Sequence, residues 1–188
     1  MTIHVLDNVI SLNYQRYIQT IFEEPKFPWY FVKGISDSTN SMDTNSGFAS
    51  DLYDSRDLSF KSQYSDSLVP LLLESLDKFD QGELEGIYRI RAGMFLKNQT
   101  DKPHLPHIDN NEPHHTMLYY AIDSDGPTEF YEGDEVIKVV EPKMGRAVIF
   151  PGNIYHASSV PHVSPFRIVL TLNFLLSTTR DIWNSRIG

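Results

Sequence analysis

The chain contains no cysteine. Disulfide scaffolds, thiolate metal sites and cysteine nucleophiles are therefore excluded. It also lacks any block of Lys or Arg, and 16 basic against 25 acidic residues leave a net charge of −9. A nucleic-acid binder usually carries a basic stripe, so that class loses ground. No apolar run approaches the roughly 18 residues of a membrane span; the longest, 68–73, is interrupted by Pro70. The first 19 residues lack the basic and apolar regions of a secretory signal. Internal repeats and low-complexity segments are absent too. These absences give the expectation of a cytoplasmic protein with no membrane and no nucleic-acid partner.

What the chain does have is a core-forming composition, with 40% hydrophobic and 12% aromatic residues. Residues 1–188 suit a single domain. Apolar residues at Val9, Leu12, Tyr17, Ile18 and Ile21 form a helical stripe within 5–22, with Asp7 as the expected N-cap. Residues 36–57 are rich in Ser, Thr, Asn and Asp and read as a long surface loop. Leu68, Leu71, Leu72, Leu76 and Phe79 give a second helix over 67–79, with Pro70 in its first turn.

After Gly82 the period changes. Segments 87–96, 116–122, 128–131, 135–140, 146–150, 154–158 and 166–176 favour strand. Turn signals such as Asp125-Gly126-Pro127, Gly133-Asp134 and Pro151-Gly152-Asn153 separate them. Short strands at this spacing indicate a sandwich or barrel. The expected division is a helical and loop part over 1–82, a β core over 83–176 and a tail over 177–188.

The chemistry-bearing residues fall in the β half. His107 and Asp109 share one face if extended, and His156 lies on a later strand. Two imidazoles and a carboxylate hold a divalent metal while leaving positions open. His-x-Asp alone is weak; the later His156 and Arg167 give it weight. A set of His104, His107 and His156 would instead suit zinc. His104, His114, His115 and His162 read as loop histidines, and His4 receives no role. Arg167 shares a face with Val169, Thr171 and Asn173; pointing inward, it would need an anion. Tyr120 reads as a core tyrosine whose hydroxyl can reach the same anion.

Taken in order, His107-Ile108-Asp109-Asn110, Thr116-Met117-Leu118-Tyr119-Tyr120, Thr128-Glu129-Phe130-Tyr131, Pro142 to Phe150, Tyr155-His156-Ala157 and Arg167 to Phe174 form a pattern. It resembles the Fe(II)- and 2-oxoglutarate-dependent oxygenases, in particular the prolyl 4-hydroxylase-like group, over 87–176. The resemblance implies a mainly β double-stranded β-helix, jelly-roll and cupin-like, with N-terminal supporting helices. It implies Fe(II) on His107, Asp109 and His156. It implies 2-oxoglutarate on Arg167, helped by Tyr120 and Thr171, with O2 as oxidant and ascorbate as a further expected cofactor. The implied activity is hydroxylation of a prolyl or other peptide or protein side chain, in a microbial or phage-infected cell. A free amino acid or small metabolite is the alternative substrate. A non-oxygenase metal-binding jelly roll would keep the ligands without needing an inward Arg167. The related nucleic-acid demethylases carry a second arginine where this chain has Asn173. The family often has Gly-Gly where Asp125-Gly126-Pro127 stands, and segment 98–106 has no counterpart in its core pattern; both departures bear on the substrate.

Overall fold

Alternation of apolar and polar residues along the strands builds two layers at once. In Phe166–Leu176 (β10), Ile168, Leu170, Leu172 and Phe174 face a helix-covered core, while Val169 faces a second core. Neighbouring strands repeat the pattern. Met117 and Tyr119 of His115–Tyr120 (β5) join the first core, and Leu118 and Tyr120 the second. In Ala147–Pro151 (β8), Ala147 and Ile149 turn to the first, and Val148 and Phe150 to the second. Side chains two apart share a face, so each strand seals one core and lines the other.

The structure is a computed structural model and describes residues 2–33, 46–56, 62–79, 81–97 and 104–184. Two antiparallel sheets enclose the inner core. With His4–Leu6 as β1, Tyr30–Lys33 as β2, Ser46–Asp54 as β3 and Leu84–Leu96 as β4, the larger sheet has seven strands in the order β1-β8-β5-β10-β4-β3-β2. Thr128–Glu132 (β6), Glu135–Val140 (β7) and Tyr155–Ser158 (β9) form the smaller sheet, ordered β7-β6-β9. Residues 104–107 run along the free edge of β9. His104 N donates to Ser158 O at 2.9 Å, and His107 and His156 exchange backbone bonds at 3.0 Å. This is the double-stranded β-helix arrangement expected from the sequence.

The outer face of the larger sheet is covered by Leu12–Glu23 (α1) and Ser65–Phe79 (α2). Ile18, Ile21 and Phe22 of α1 and Leu68, Leu71, Leu72 and Phe79 of α2 enter the outer core. Thr179–Asn184 (α3) follows β10. Among the described residues, no helix is long and apolar enough to cross a membrane.

Several local expectations are corrected. The expected first helix begins later, because residues 4–6 pair with β8 and Ser11, not Asp7, caps α1 by accepting from Tyr14 N. Asp7 instead pairs with Arg146 at 2.6 Å. Residues 46–54, expected to be loop, are a strand, because Phe48, Ala49 and Leu52 pack on β4 despite a polar local composition. Pro70 lies beyond the first turn of a helix that starts at Ser65. The tail contains α3. Residues 36–45 and 57 of the expected long loop, and 98–103 of segment 98–106, lie outside the described residues.

Candidate metal centre

His107, Asp109 and His156 come together from two pieces of chain, the segment 107–109 and β9. His156 sits in β9, opposite Phe130 of β6. His107 is fixed beside it by the isolated bridge, which brings the two rings to 4.8 Å between centroids. Asp109 follows on a bend rather than a strand, so the simple same-face argument for His107 and Asp109 does not apply locally. The side-chain donor atoms of all three lie within 4.8 Å of one another. His104 is not part of this group; it is buried beside Phe95, at 5.3 Å between rings.

Both imidazoles are oriented by backbone. Nδ1 of His107 lies 3.2 Å from Leu105 O, and Nδ1 of His156 lies 3.2 Å from Ile154 O. A carbonyl can only accept, so each Nδ1 donates and each Nε2 keeps its lone pair for a ligand. Burial pushes the His156 imidazole down to about 4, against the opposing pull of Asp109. It is therefore neutral, and a competent donor, near pH 7.

Asp109 is held by a polar network that sequence reading did not assign. Arg89 Nη2 donates to Oδ1 at 3.1 Å; Asn173 Nδ2 and Thr116 Oγ1 donate to Oδ2 at 2.9 and 3.2 Å. Arg89 Nε also donates to Asn173 Oδ1 at 3.0 Å, tying the partners together. Burial works against the charged carboxyl, but His156, Arg89, His107 and the Asn173 amide hold it well below the usual carboxylate range. The available signal was periodicity: Asn173 and Arg89 occupy inward positions of β10 and β4 and are register partners.

Arg167 points inward and is fully buried. Its guanidinium lies 5.2 Å from the Phe95 ring centroid and 5.4 Å from that of Tyr120. Its Nη2 donates to Thr128 Oγ1 at 2.6 Å and Nη1 to Ser159 O at 3.4 Å, while buried Nε has no hydrogen-bond partner. No carboxylate pairs with it among the described residues. Burial therefore lowers its pKa, since nothing near it fully compensates the charge. Tyr120 Oη donates to the same Thr128 hydroxyl at 2.8 Å rather than standing free. Burial raises the Tyr120 pKa and keeps the phenol a donor. Thr171, partly exposed, lines the cavity floor. The cavity is about 150 Å3, and His107, Asp109 and His156 line it together with Phe95, Leu118, Val169 and Thr171. Thr128 was not singled out from sequence; an isolated hydroxyl gives no signal until the fold brings Arg167 and Tyr120 to it.

Of the remaining histidines, His104, His114 and His162 lie outside helices and strands as expected, and only His115 departs from that expectation. His114 and His115 are buried, with His115 inside β5 and its Nδ1 at 2.9 Å from Thr179 Oγ1. They brace the α3 end of the sheet. His162 lies in a bend whose backbone N–H groups are held by Asp125.

The donor set suits a divalent first-row metal: two imidazoles and one ionised carboxylate, with orientation fixed by surrounding groups. The unpaired Nε and uncompensated charge of Arg167 likewise suit a carboxylate-bearing small molecule.

No protein-family profile matches the chain, and no curated protein does. Solved structures match it strongly in fold. A 2OG-Fe(II) oxygenase family oxidoreductase from Burkholderia pseudomallei superposes with a TM-score of 0.71 at 15% identity, covering 92% of this chain and 84% of that one. A Pseudomonas putida prolyl-4-hydroxylase gives 0.59 at 14% identity, covering 92% and 91%. A prolyl hydroxylase from Trichoplax adhaerens, in complex with a hypoxia inducible factor peptide fragment, gives 0.55 at 15% identity, covering 96% and 86%. The fold is thus that of the 2OG-Fe(II) oxygenases, prolyl hydroxylases included.

Proposed function

We propose that this chain is a single-domain Fe(II)- and 2-oxoglutarate-dependent oxygenase that hydroxylates a C–H bond of a prolyl or other peptide or protein side chain. One observation carries the reading: a His-Asp-His cluster lines a cavity between the two sheets, and a fully buried arginine with no carboxylate partner among the described residues packs against Phe95, a residue of the same cavity wall. A non-oxygenase metal site would have no use for the second element. The prolyl hydroxylases among the structural matches support the substrate class.

In this reading His107, Asp109 and His156 hold Fe(II), which supplies the O2-activating redox chemistry when bound. Arg167 binds the distal carboxylate of 2-oxoglutarate, with Thr128 and Tyr120 fixing the angle of its guanidinium. Thr171 contributes a hydroxyl along the path between anion and metal. The Phe95 and Tyr120 rings flank the guanidinium and exclude water, which strengthens the Arg–carboxylate attraction. The overall change consumes substrate C–H, O2 and 2-oxoglutarate and gives C–OH, succinate and CO2. One oxygen atom enters the hydroxyl and the other the new succinate carboxylate. No side-chain general base is required.

The test is anaerobic addition of Fe(II) and 2-oxoglutarate. The weak visible charge-transfer band of an iron-chelated keto acid is expected in the wild type and not in His156→Ala. Metal binding without that band would sink the oxygenase reading and leave a metal-binding jelly roll.

A further inference from the structure

The inner row of β4 reads Arg89, Arg91, Gly93, Phe95, and all four side-chain positions line the cavity. The two arginines are not equivalent. Arg89 is spent on Asp109 and Asn173. Arg91 stands one step further along the row, in register with Thr171 of β10 on one side and Asp51 of β3 on the other. Its one ion pair among the described residues is a long 3.7 Å contact to Asp51, whose side chain is 54% exposed. An exposed pair of that length contributes little. Next along the row, Gly93 leaves space: a Cβ there would meet Phe95 and Val169 only at 3.6 and 3.7 Å, ordinary contact distances. A loosely held guanidinium therefore lines the same cavity as His107, Asp109 and His156. In a chain of net charge −9, a cationic cavity wall is a local reversal of sign, and such reversals select charged ligands.

We propose that Arg91 determines specificity by anchoring a carboxylate of the primary substrate, exchanging its contact with Asp51 for one with that group. This rests on the oxygenase reading above. Either an acidic side chain beside the hydroxylated residue of a peptide or the α-carboxylate of a free amino acid supplies the same chemistry.

The test uses protein loaded with Mn(II) and 2-oxoglutarate, which binds without turnover, and follows ligand binding by calorimetry. One arm compares end-blocked proline peptides that differ only in flanking Glu, Gln or Lys. The other compares L-proline with L-prolinamide. The carboxylate-bearing member of at least one arm should bind about tenfold or more tighter than its neutral counterpart, as for a hydrogen bond to a charged group. The arm that responds identifies the source of the carboxylate. Arg91→Gln should erase that preference and leave 2-oxoglutarate affinity within about twofold, and Arg91→Glu should favour the Lys peptide or the amide. Absence of any preference for the acidic members overturns the proposal, as does a preference that survives Arg91→Gln. A large loss of 2-oxoglutarate affinity in Arg91→Gln also overturns it, by assigning Arg91 to the co-substrate. Failure of the wild type to bind 2-oxoglutarate at all is a different result, and it rejects the oxygenase reading itself.

Discussion

Replacing Arg167 by Met separates binding from stability, because the two should move in opposite directions. In the protein without co-substrate, Arg167 is a fully buried cation that reaches only a hydroxyl and one carbonyl, and its Nε is unpaired. A Met of similar length removes the desolvation cost and packs between the Phe95 and Tyr120 rings. Such replacements of buried charges are commonly neutral or stabilising by about 1–4 kcal/mol. At roughly 2–4 °C per kcal/mol for a domain of this size, the melting temperature should hold or rise by several degrees. Co-substrate binding should fall instead. Truncating one partner of a buried, hydrogen-bonded charge pair costs about 2–5 kcal/mol, or roughly thirtyfold to several thousandfold in Kd. Titration of Mn(II)-loaded protein with 2-oxoglutarate reads the second quantity, and a thermal melt without co-substrate reads the first. Adding 2-oxoglutarate at a hundred times the wild-type Kd should stabilise the wild type by about 2.7 kcal/mol and the variant by far less. Near-normal affinity in Arg167→Met would refute the pocket assignment. A strongly lowered melting temperature would refute the argument that the cation lacks compensation.

Other expectations follow from individual contacts. Tyr120→Phe removes one neutral donor from Thr128, so co-substrate affinity should weaken by only about fivefold, the equivalent of a single net hydrogen bond; a loss beyond a hundredfold would mean that Tyr120 meets the ligand directly. Asn173→Ala deprives Asp109 and Arg89 of a shared partner and should weaken metal binding about 10–100-fold in a chelator competition, whereas an unchanged Kd rejects the positioning role. Gly126→Ala would drive a Cβ into the Ser159 backbone oxygen, and overpacking of this kind costs about 1–3 kcal/mol, visible as a lower urea midpoint. Burial opposes ionisation of Asp125, but the amides of Ser164, Val163 and His162 hold its carboxyl well below the usual range. With the folded value depressed, its stabilisation is complete above the unfolded carboxyl value near 3.9 and fades as pH falls towards the folded one. The gap between wild-type and Asp125→Ala urea midpoints should therefore be widest at neutral pH and shrink below about pH 4; a pH-independent gap would remove the linkage.

Where strong periodicity existed, the sequence told the fold. Segments 135–140 and 166–176 were legible to the residue; in the second, alternation serves two cores at once. Residues 46–54 were not legible. Their Ser, Asp and Gly content signals loop, and only pairing with β4, itself distant in sequence, makes them a strand. Asp7 looked like a helix cap because capping is a local rule, but its partner Arg146 is a tertiary one. The grouping of His107, Asp109, His156 and Arg167 was readable as an ordered pattern. The network of Arg89, Asn173, Thr116 and Thr128 was not, because none of these residues carries a local signature. His115 was misread for a related reason: it adjoins a turn, and its place in the sheet is set by pairing with β8.

The ladder between β10 and β4 explains why core and site cannot vary independently. One face of β10 supplies Ile168, Leu170, Leu172 and Phe174 to the outer core. The other presents Arg167, Val169, Thr171 and Asn173, opposite Phe95, Gly93, Arg91 and Arg89 in register. A slip of one residue would expose the apolar set and drive the polar set into the helix layer. Hydrophobic burial therefore fixes the register, and the register fixes the separation of Arg167 from Asn173, the residue that braces Asp109. The spacing between the buried guanidinium of Arg167 and the Asn173 amide is thus set by strand geometry, and this is how a polar constellation stays preorganised inside a protein interior. Substrate choice, in contrast, falls to Arg91, which the ladder places beside the site and which, among the described residues, has only the long contact to Asp51 where Arg89 has Asp109 and Asn173.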